Sequence, residues 1–439
     1  MPLPTDVEGL RSRDVRLVAG SITDLAGVTR AKYVPVRRLD AFQRSGMGVS
    51  PSWSVFCVDS GIAFTPNIGV DGDLRIRIDP ADLRLVSDGI AWAPGDLTDQ
   101  EGNAADLCTR SLLKGVESRL SAQGLTAMIG AELECTMLNE DAGHASTQPW
   151  SPYGVRTSLD RSAFLVDLAE AAERAELPVE QIHTEYGHDQ LEVSLAPSTP
   201  VAAVDTVAAA RIVIGRTAAR HGLRISFSPV PFEGEAGNGA HLHLSLADGD
   251  GPLLSGGDGP HGVRREGGSA IAGVLQTLPD LLGVYAGSVL SSARLKPGNW
   301  AGAAQCWGLE NREAALRLIA ATPGTPHGAN IELKLIDPTA NPYLAAVGFL
   351  GSALRGIEQG LELPAEVPKD PSKSSQPPAM LQTDQKTVIT ALENSAVAAD
   401  LLSPSVIEGL VAVRRYEITT FGDRPQAETT QALRLAWSC

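Results

Sequence analysis

A chain of 439 residues, 43% hydrophobic and 20% charged, is long enough for two or three packed domains and too apolar to be disordered. Its 52 acidic and 36 basic residues give a formal net charge of −16, which excludes a nucleic-acid scaffold or an anionic membrane as the expected partner. A nucleotide is still allowed, because a local arginine cluster and a divalent ion hold phosphates inside an acidic protein.

The five cysteines (Cys57, Cys108, Cys135, Cys306 and Cys439) are scattered and lack C-x-x-C spacing. Met1–Asp6 lacks the basic-then-apolar order of a signal peptide, and no apolar run reaches about 18 residues. These features predict a reduced, soluble, cytoplasmic chain.

From the amino terminus, Val15 to Val36 predicts two strands around a turn at Asp24–Gly27. Val55–Val58 reads as a further short strand. Gly72–Pro80 alternates, with Asp73, Arg75, Arg77 and Asp79 on one face; solvent exposure alone explains such a polar face. Residues 1–105 thus read as a small sheet-rich domain.

Asp106–Ala122 follows as a helix, with Leu107, Leu112, Leu113, Val116 and Leu120 on one stripe. Ile129–Leu138 is a strand that carries Glu132 and Glu134 on the same face. Ser158–Ala175 is helical. Ile182–Leu195 reads as strand, turn and strand broken at Gly187, with Glu185 and Glu192 flanking the turn. Asp205–His221 is another amphipathic helix, and Ile225–Val230 leads into the stretch Gly237–Leu246, which reads GNGAHLHLSL. There a period of two sets His241, His243 and Ser245 on one face and three leucines on the other. Two readings of the histidines stand side by side: ligands or phosphate contacts, and satisfied half-buried side chains.

Beyond it, Leu253–Gly268 is a glycine-rich loop and Ala270–Leu290 is helical around Pro279. Arg294–Gly302 is irregular, since proline and small residues oppose regular structure. Glu310–Glu313 and Arg317 place two arginines near a strand end. Ile331–Leu335 alternates, with Glu332 and Lys334 sharing a face, and Asp337–Tyr343 caps a helix at Leu344–Ile357. Pro364–Pro378 is a linker or exposed excursion. Helices at Thr387–Ala399 and Pro404–Thr419 and a short tail complete the chain.

Glu132, Glu134, Glu185, Glu192, Glu332 and His241 are together too negative for one cavity unless divalent ions neutralise them. Oxygen ligands with one nitrogen suit Mg²⁺ or Mn²⁺ better than zinc. Arg294, Arg312, Arg317 and Lys334 on nearby segments add the cations that phosphoryl transfer requires. No G-x-x-x-x-G-K-[ST] stretch is present, so the chemistry is not that of a P-loop.

Taken together, the E-x-E strand, the Glu185/Glu192 pair, GNGAHLHLSL, the RLxPG segment at Arg294, NREAALR from Asn311 and DPTANPYLA from Asp337 resemble the glutamine synthetase family over nearly the whole chain. The resemblance implies an α+β fold: a β-grasp-like domain at 1–105 and a catalytic α+β domain with a curved antiparallel sheet at 106–439. It also implies a homo-oligomeric ring, a dodecamer in bacterial members. Glu134, Glu185 and Glu192 then resemble the ligands of one metal, and Glu132, His241 and Glu332 those of a second. By the same likeness His243 and Ser245 contact nucleotide, Arg312 and Arg317 face phosphate, Arg294 holds the α-carboxylate of glutamate, and Gly237 meets the substrate. Asp73 resembles an aspartate donated to the neighbouring subunit's site.

The departures concern the amine. Pro297-Gly298 is followed by Asn299 and Trp300, so the flap carboxylate that serves ammonium in the family is absent, and an indole offers an apolar or cation–π wall instead. Asn330 and Lys334 stand where ammonia-using members have arginines, Ala236 replaces an asparagine, and Leu361–Pro364 lacks the adenylylation tyrosine. These features are similar to the γ-glutamylamine ligase branch, which acts on polyamines or ethanolamine. The implied reaction joins glutamate to a primary amine through γ-glutamyl phosphate, with ATP as substrate. Arg312 and Lys334 assist the phosphoryl group, and Glu185 or a neighbour's Asp73 is the base. Two alternatives are a true glutamine synthetase using ammonium and a structural or regulatory relative without ligase activity; metal-dependent ATP binding separates the last from the others.

Overall fold

The computed structural model describes residues 2–324 and 328–438; Met1 and Cys439 lie outside the described residues. Two sheets organise the chain. The first holds β1 (Leu17–Thr23), β2 (Thr29–Pro35), β3 (Met47–Val49), β4 (Leu74–Ile78), β5 (Arg84–Ser87) and β6 (Ile90–Thr98). Their order is β2-β1-β6-β4-β3, with β5 against β6, and β1 runs parallel to β6 in the β-grasp manner. The β1–β2 turn closes because the Asp24 carboxylate accepts from the backbone N–H groups of Ala26 and Val28 and from Arg30.

The second sheet holds β7 (Thr126–Leu138), β8 (Val179–Thr184), β9 (Gln190–Ser198), β10 (Arg224–Ser226), β11 (Ala240–Asp248), β12 (Gly251–Pro252), β13 (Ala304–Leu309), β14 (Ala314–Ile319) and β15 (Asn330–Leu333). Its main path, β13-β14-β15-β11-β7-β9-β8, is curved and nearly closed. It is antiparallel apart from the β13–β14 pair. The helices Thr109–Ala122, Pro200–Arg220, Arg265–Tyr285 and Pro342–Gln359 cover it, and one continuous apolar core runs from Leu10 to Trp437. Among the described residues no helix is long and apolar enough to cross a membrane. Cys57, Cys108, Cys135 and Cys306 are free and buried.

Several local expectations are corrected. Val55–Val58 is not a strand: Pro51 fixes φ and the Ser50 hydroxyl caps Ser52 N–H, which winds Pro51–Val55 into a 3₁₀ turn. The glycine-rich loop ends at Arg264, and Gly267 and Gly268 lie inside the helix Arg265–Tyr285. A Cβ on Gly267 would stand 2.2 Å from the Leu253 carbonyl oxygen, so close packing rather than a turn explains that glycine. Arg294 closes a short helix, Ser291–Arg294, ahead of the irregular segment. The Thr387–Ala399 helix is two, divided at Ser395, whose hydroxyl caps the second. The tail contains a helix, Gln426–Leu433, which buries Leu433 and leads to the buried Trp437.

Arg110, on the helix Thr109–Ala122, ties the first sheet to the helix Pro200–Arg220. Its guanidinium binds Asp205 at 2.8 and 2.9 Å, Asp96 on β6 at 3.0 and 3.1 Å, and Asp82 at 3.1 Å, while Tyr343 Oη donates to Asp205 at 2.7 Å. Arg110 and Asp205 are both buried. Replacing Arg110 by methionine therefore leaves Asp205 buried without its cation. The expected loss is about 3–5 kcal/mol, read as a lower urea midpoint at unchanged slope; a loss of under about 1 kcal/mol would contradict this role.

Candidate active site

Strand register builds the site. On β11, Leu242, Leu244 and Leu246 are buried in the core while His241, His243 and Ser245 face the other way. His241 lies opposite Glu132 on β7, and Glu134 lies opposite Glu192 on β9, which in turn faces His183 on β8. On the other side His243 is opposite Glu332 on β15, and Glu332 is opposite Arg317 on β14. Directly paired residues share a face, so six strands deliver these side chains to one surface.

The carboxylates converge there. His241 Nδ1 stands 3.3 Å from Glu132 Oε2 and 3.4 Å from Glu332 Oε1. His183 Nε2 stands 3.2 Å from Glu185 and 3.5 Å from Glu192. Donor atoms of Glu132, Glu192 and His241 lie within 4.8 Å of one another, as do those of His183, Glu185 and Glu192 and those of Glu132, His243 and Glu332. One oxygen of Glu134 is already engaged, accepting from Gly239 N–H at 2.7 Å and the Gln190 amide at 2.9 Å. Its other oxygen is 3.8 Å from His241 Nε2.

The electrostatics call for a cation. Burial, and then the charges of Glu132, Glu134, Glu185 and Glu332, push Glu192 from its usual 4.5 up to about 9. Burial also acts against Glu332, but Lys334, His241 and His243 outweigh it and bring its pKa to about 2. Lys334 Nζ sits 2.9 Å from Glu332 in the interior, so its charge is committed to that carboxylate. His243 Nδ1 meets Asn330 Oδ1 at 2.9 Å, and its Nε2 is buried with no hydrogen-bond partner among the described residues, 3.4 Å from Glu132. Crowded carboxylates with imidazoles at their edge fit a hard divalent ion such as Mg²⁺ or Mn²⁺.

Arg294 closes one end. It is buried, donates to the Leu335 and Lys334 carbonyls at 3.2 and 3.1 Å and to His241 Nε2 at 3.1 Å. Among the described residues no carboxylate lies within ion-pair distance of it, so it is a buried cation able to receive one. This contact occupies Nε2, so Nδ1 is the ring nitrogen turned toward Glu132 and Glu332. Gly239 permits this approach: a Cβ there would stand 2.4 Å from His241 Nε2 and 2.7 Å from Arg294 Nη2. Gly237 likewise passes close to Arg294, and Asn238 ties the loop to the Ser226 and Ser228 carbonyls and to Gln190.

The other anticipated residues are distributed around this centre. His243, Ser245, Glu132 and Asn330 line a cleft of about 180 Å³, the side on which nucleotide contacts were expected. Arg317 is held by Glu310 and, at 3.3 Å, by Glu332. Arg312 is exposed, yet near enough to Tyr153 for its charge to act on that hydroxyl. Trp300 is 56% exposed at φ 53° on the irregular segment. Asp73 is exposed just before β4, in the other sheet, and among the described residues its carboxylate has no hydrogen-bond or ion-pair partner.

Four side chains that motif reasoning passed over belong here. His183 bridges Glu185 and Glu192, Tyr153 donates to Glu185 at 2.7 Å, and Gln190 holds Glu134 and the Gly237 carbonyl. Glu313, beneath the flap, accepts from Gly298 and Trp300 N–H at 3.3 and 3.0 Å. His183 could have been found by its i, i+2 spacing to Glu185; the other three depend on pairing and loop paths.

The Glu192 shift has a measurable consequence. Without a cation the folded chain keeps a proton that the unfolded chain has released, so its stability falls as pH rises from 4.5 to about 9. A divalent ion replaces that proton. The thermal midpoint of the metal-free chain should therefore drop across this window, more shallowly with saturating Mg²⁺ and in Glu192→Gln. Equal slopes in all three samples would refute the assignment.

The catalytic-domain model of glutamine synthetase matches residues 106–432. A γ-glutamylpolyamine synthetase of Streptomyces coelicolor is 36% identical over 93% of this chain and 91% of its own length. A γ-glutamylethanolamide synthetase of the same organism is 30% identical over 80% of this chain and 76% of its own. A crystal structure described as a novel glutamine synthase homologue superposes with a TM-score of 0.87, at 30% identity over 96% of this chain and 99% of that one. The chain belongs to the glutamine synthetase family and is an ATP-dependent carbon–nitrogen ligase.

Proposed function

We propose that the chain joins the γ-carboxylate of glutamate to a primary organic amine, with a polyamine as the preferred class. A γ-carboxylate oxygen attacks the γ-phosphorus of ATP and ADP departs. The amine nitrogen then attacks the acyl carbon of γ-glutamyl phosphate, inorganic phosphate leaves and the nitrogen loses a proton. Divalent ions held by Glu134, Glu185 and Glu192 and by Glu132, His241 and Glu332, when bound, neutralise phosphate charge and polarise the transferring group. Arg294 orients glutamate through its α-carboxylate. Lys334 keeps Glu332 ionised, and Arg312, without an ion-pair partner among the described residues, faces the phosphoryl group.

Burial pushes Glu185 up, but His183, Tyr153 and the Tyr186 N–H more than offset it and hold the carboxylate below its usual range. A carboxylate held low suits binding the ammonium form of the amine, and Glu185 or Asp73 of a neighbouring subunit, in a ring assembly, is the proton acceptor.

The observation that carries the choice of organic amine over ammonium is the Pro297–Trp300 turn. It presents an exposed indole and no carboxylate of its own, and both oxygens of Glu313 beneath it are turned to backbone N–H groups. Similarity to the γ-glutamylpolyamine synthetase supports the polyamine class.

Phosphate release with ATP, glutamate and Mg²⁺ tests the reading against putrescine, spermidine, ethanolamine, ammonium and no amine. Turnover is expected with the polyamines first. Trp300→Ala should raise the KM for the amine about 5- to 30-fold, the worth of a cation–π contact, and leave that for glutamate unchanged. Best turnover with ammonium would overturn the proposal, and an unaltered rate in Asp73→Asn would remove Asp73 as the base.

A further inference from the structure

Three loops on the substrate side of the sheet meet outside the carboxylate cluster: the segment after β7, the β8–β9 turn and the segment that enters the glycine loop before β11. His144, from the first, stacks on Phe232 of the third at 3.9 Å between ring centroids and on His188 of the turn at 4.4 Å. His144 Nε2 lies 3.2 Å from Glu235 Oε1. A neutral imidazole that donates there carries its lone pair on Nδ1, and this Nδ1 is buried with no hydrogen-bond partner among the described residues, 3.5 Å from Asp189 Oδ2. His188 Nε2 is likewise buried with no hydrogen-bond partner among the described residues, 3.9 Å from the same oxygen. Asp189 is wholly buried, held in the left-handed region at φ 58°, with Arg161 on Oδ1 at 3.1 Å and Ser146 N–H on Oδ2 at 3.0 Å.

From this we infer that His144, His188 and Asp189 form a structural site for a zinc-type divalent cation, separate from the catalytic ions. The three donor atoms lie within 4.8 Å of one another. Ligands about 2.0–2.1 Å from a tetrahedral ion stand roughly 3.4 Å apart, so a small closing rotation of the two rings completes the set. Two imidazoles and a carboxylate select zinc over magnesium, unlike the carboxylate-rich centre. Glu235 fills the orienting role of an acid behind a metal-bound histidine, fixing the tautomer that leaves Nδ1 free.

The site explains why two imidazole nitrogens are turned inward with no hydrogen-bond partner among the described residues. It also has a use. The ion clamps the turn bearing Gln190, whose amide holds Glu134, the Gly237 carbonyl and Asn238 at 2.9, 2.9 and 3.1 Å. It would thus brace the glycine loop without touching substrate, whichever amine is used.

The test is metal analysis of the full chain after exposure to Zn²⁺ and dialysis against excess Mg²⁺, with Co²⁺ as an optical probe. One zinc per chain should be retained, and Co²⁺ should show the visible absorption of a four-coordinate nitrogen–oxygen site. His188→Gln and His144→Gln should lose the zinc while Glu192→Gln keeps it. No retained zinc and no visible cobalt band in the wild-type chain would overturn the site without reference to any variant. Loss of zinc in Glu192→Gln with retention in His188→Gln would overturn it too, by assigning the ion to the catalytic cluster.

Discussion

Mutual repulsion among five glutamates is the constraint around which this molecule is built. Glu132, Glu134, Glu185, Glu192 and Glu332 are brought to one surface of the second sheet, where burial removes the water that would screen them. Two protein cations, Lys334 and Arg317, offset part of this charge at Glu332, and the His183 ring lies between Glu185 and Glu192. Glu192 is left short and holds a proton in place of an ion. This crowding of charge fits the divalent metals and ATP that enzymes of the family use.

The antiparallel register is what makes such a concentration possible. β7 contributes two of the acids and β9 and β15 one each, and leucines on the opposite face of β11 anchor it in a core that extends into the first sheet. Arg110 ties that first sheet to the helices behind the site. A rigid frame lets loops carry the specificity: the Pro297–Trp300 turn rests on Glu313, and the glycine loop rests on Gln190 and Asn238. Substrate choice can change there while the charged centre stays fixed.

Much of this centre is legible in the sequence, for a physical reason. Strand side chains repeat every two residues, so Glu132/Glu134 and His241/His243 declare a shared face without any knowledge of neighbours. What sequence does not carry is pairing across strands. His183 facing Glu192, Tyr153 reaching Glu185 and Gln190 clasping Glu134 depend on register and loop closure. Lys334 reads as a free phosphate-side cation until Glu332 is seen 2.9 Å away. Local composition misled elsewhere: Val55–Val58 is apolar enough for a strand, yet the Ser50–Pro51 cap winds the chain just before it, and the tail helix Gln426–Leu433 is set by burial of Leu433 more than by periodicity. Asp73 marks the limit of a single chain, because the role proposed for it is in the site of another copy.

The account turns on activation of the glutamate γ-carboxylate by phosphoryl transfer. Turnover of glutamate carrying ¹⁸O in that carboxylate, with ATP and a saturating polyamine, tests this directly. Formation of γ-glutamyl phosphate requires one labelled oxygen to leave in each inorganic phosphate released. Phosphate without label, formed together with amide product, would contradict the account, because the carboxylate would then have been activated by some route other than attack on the γ-phosphorus.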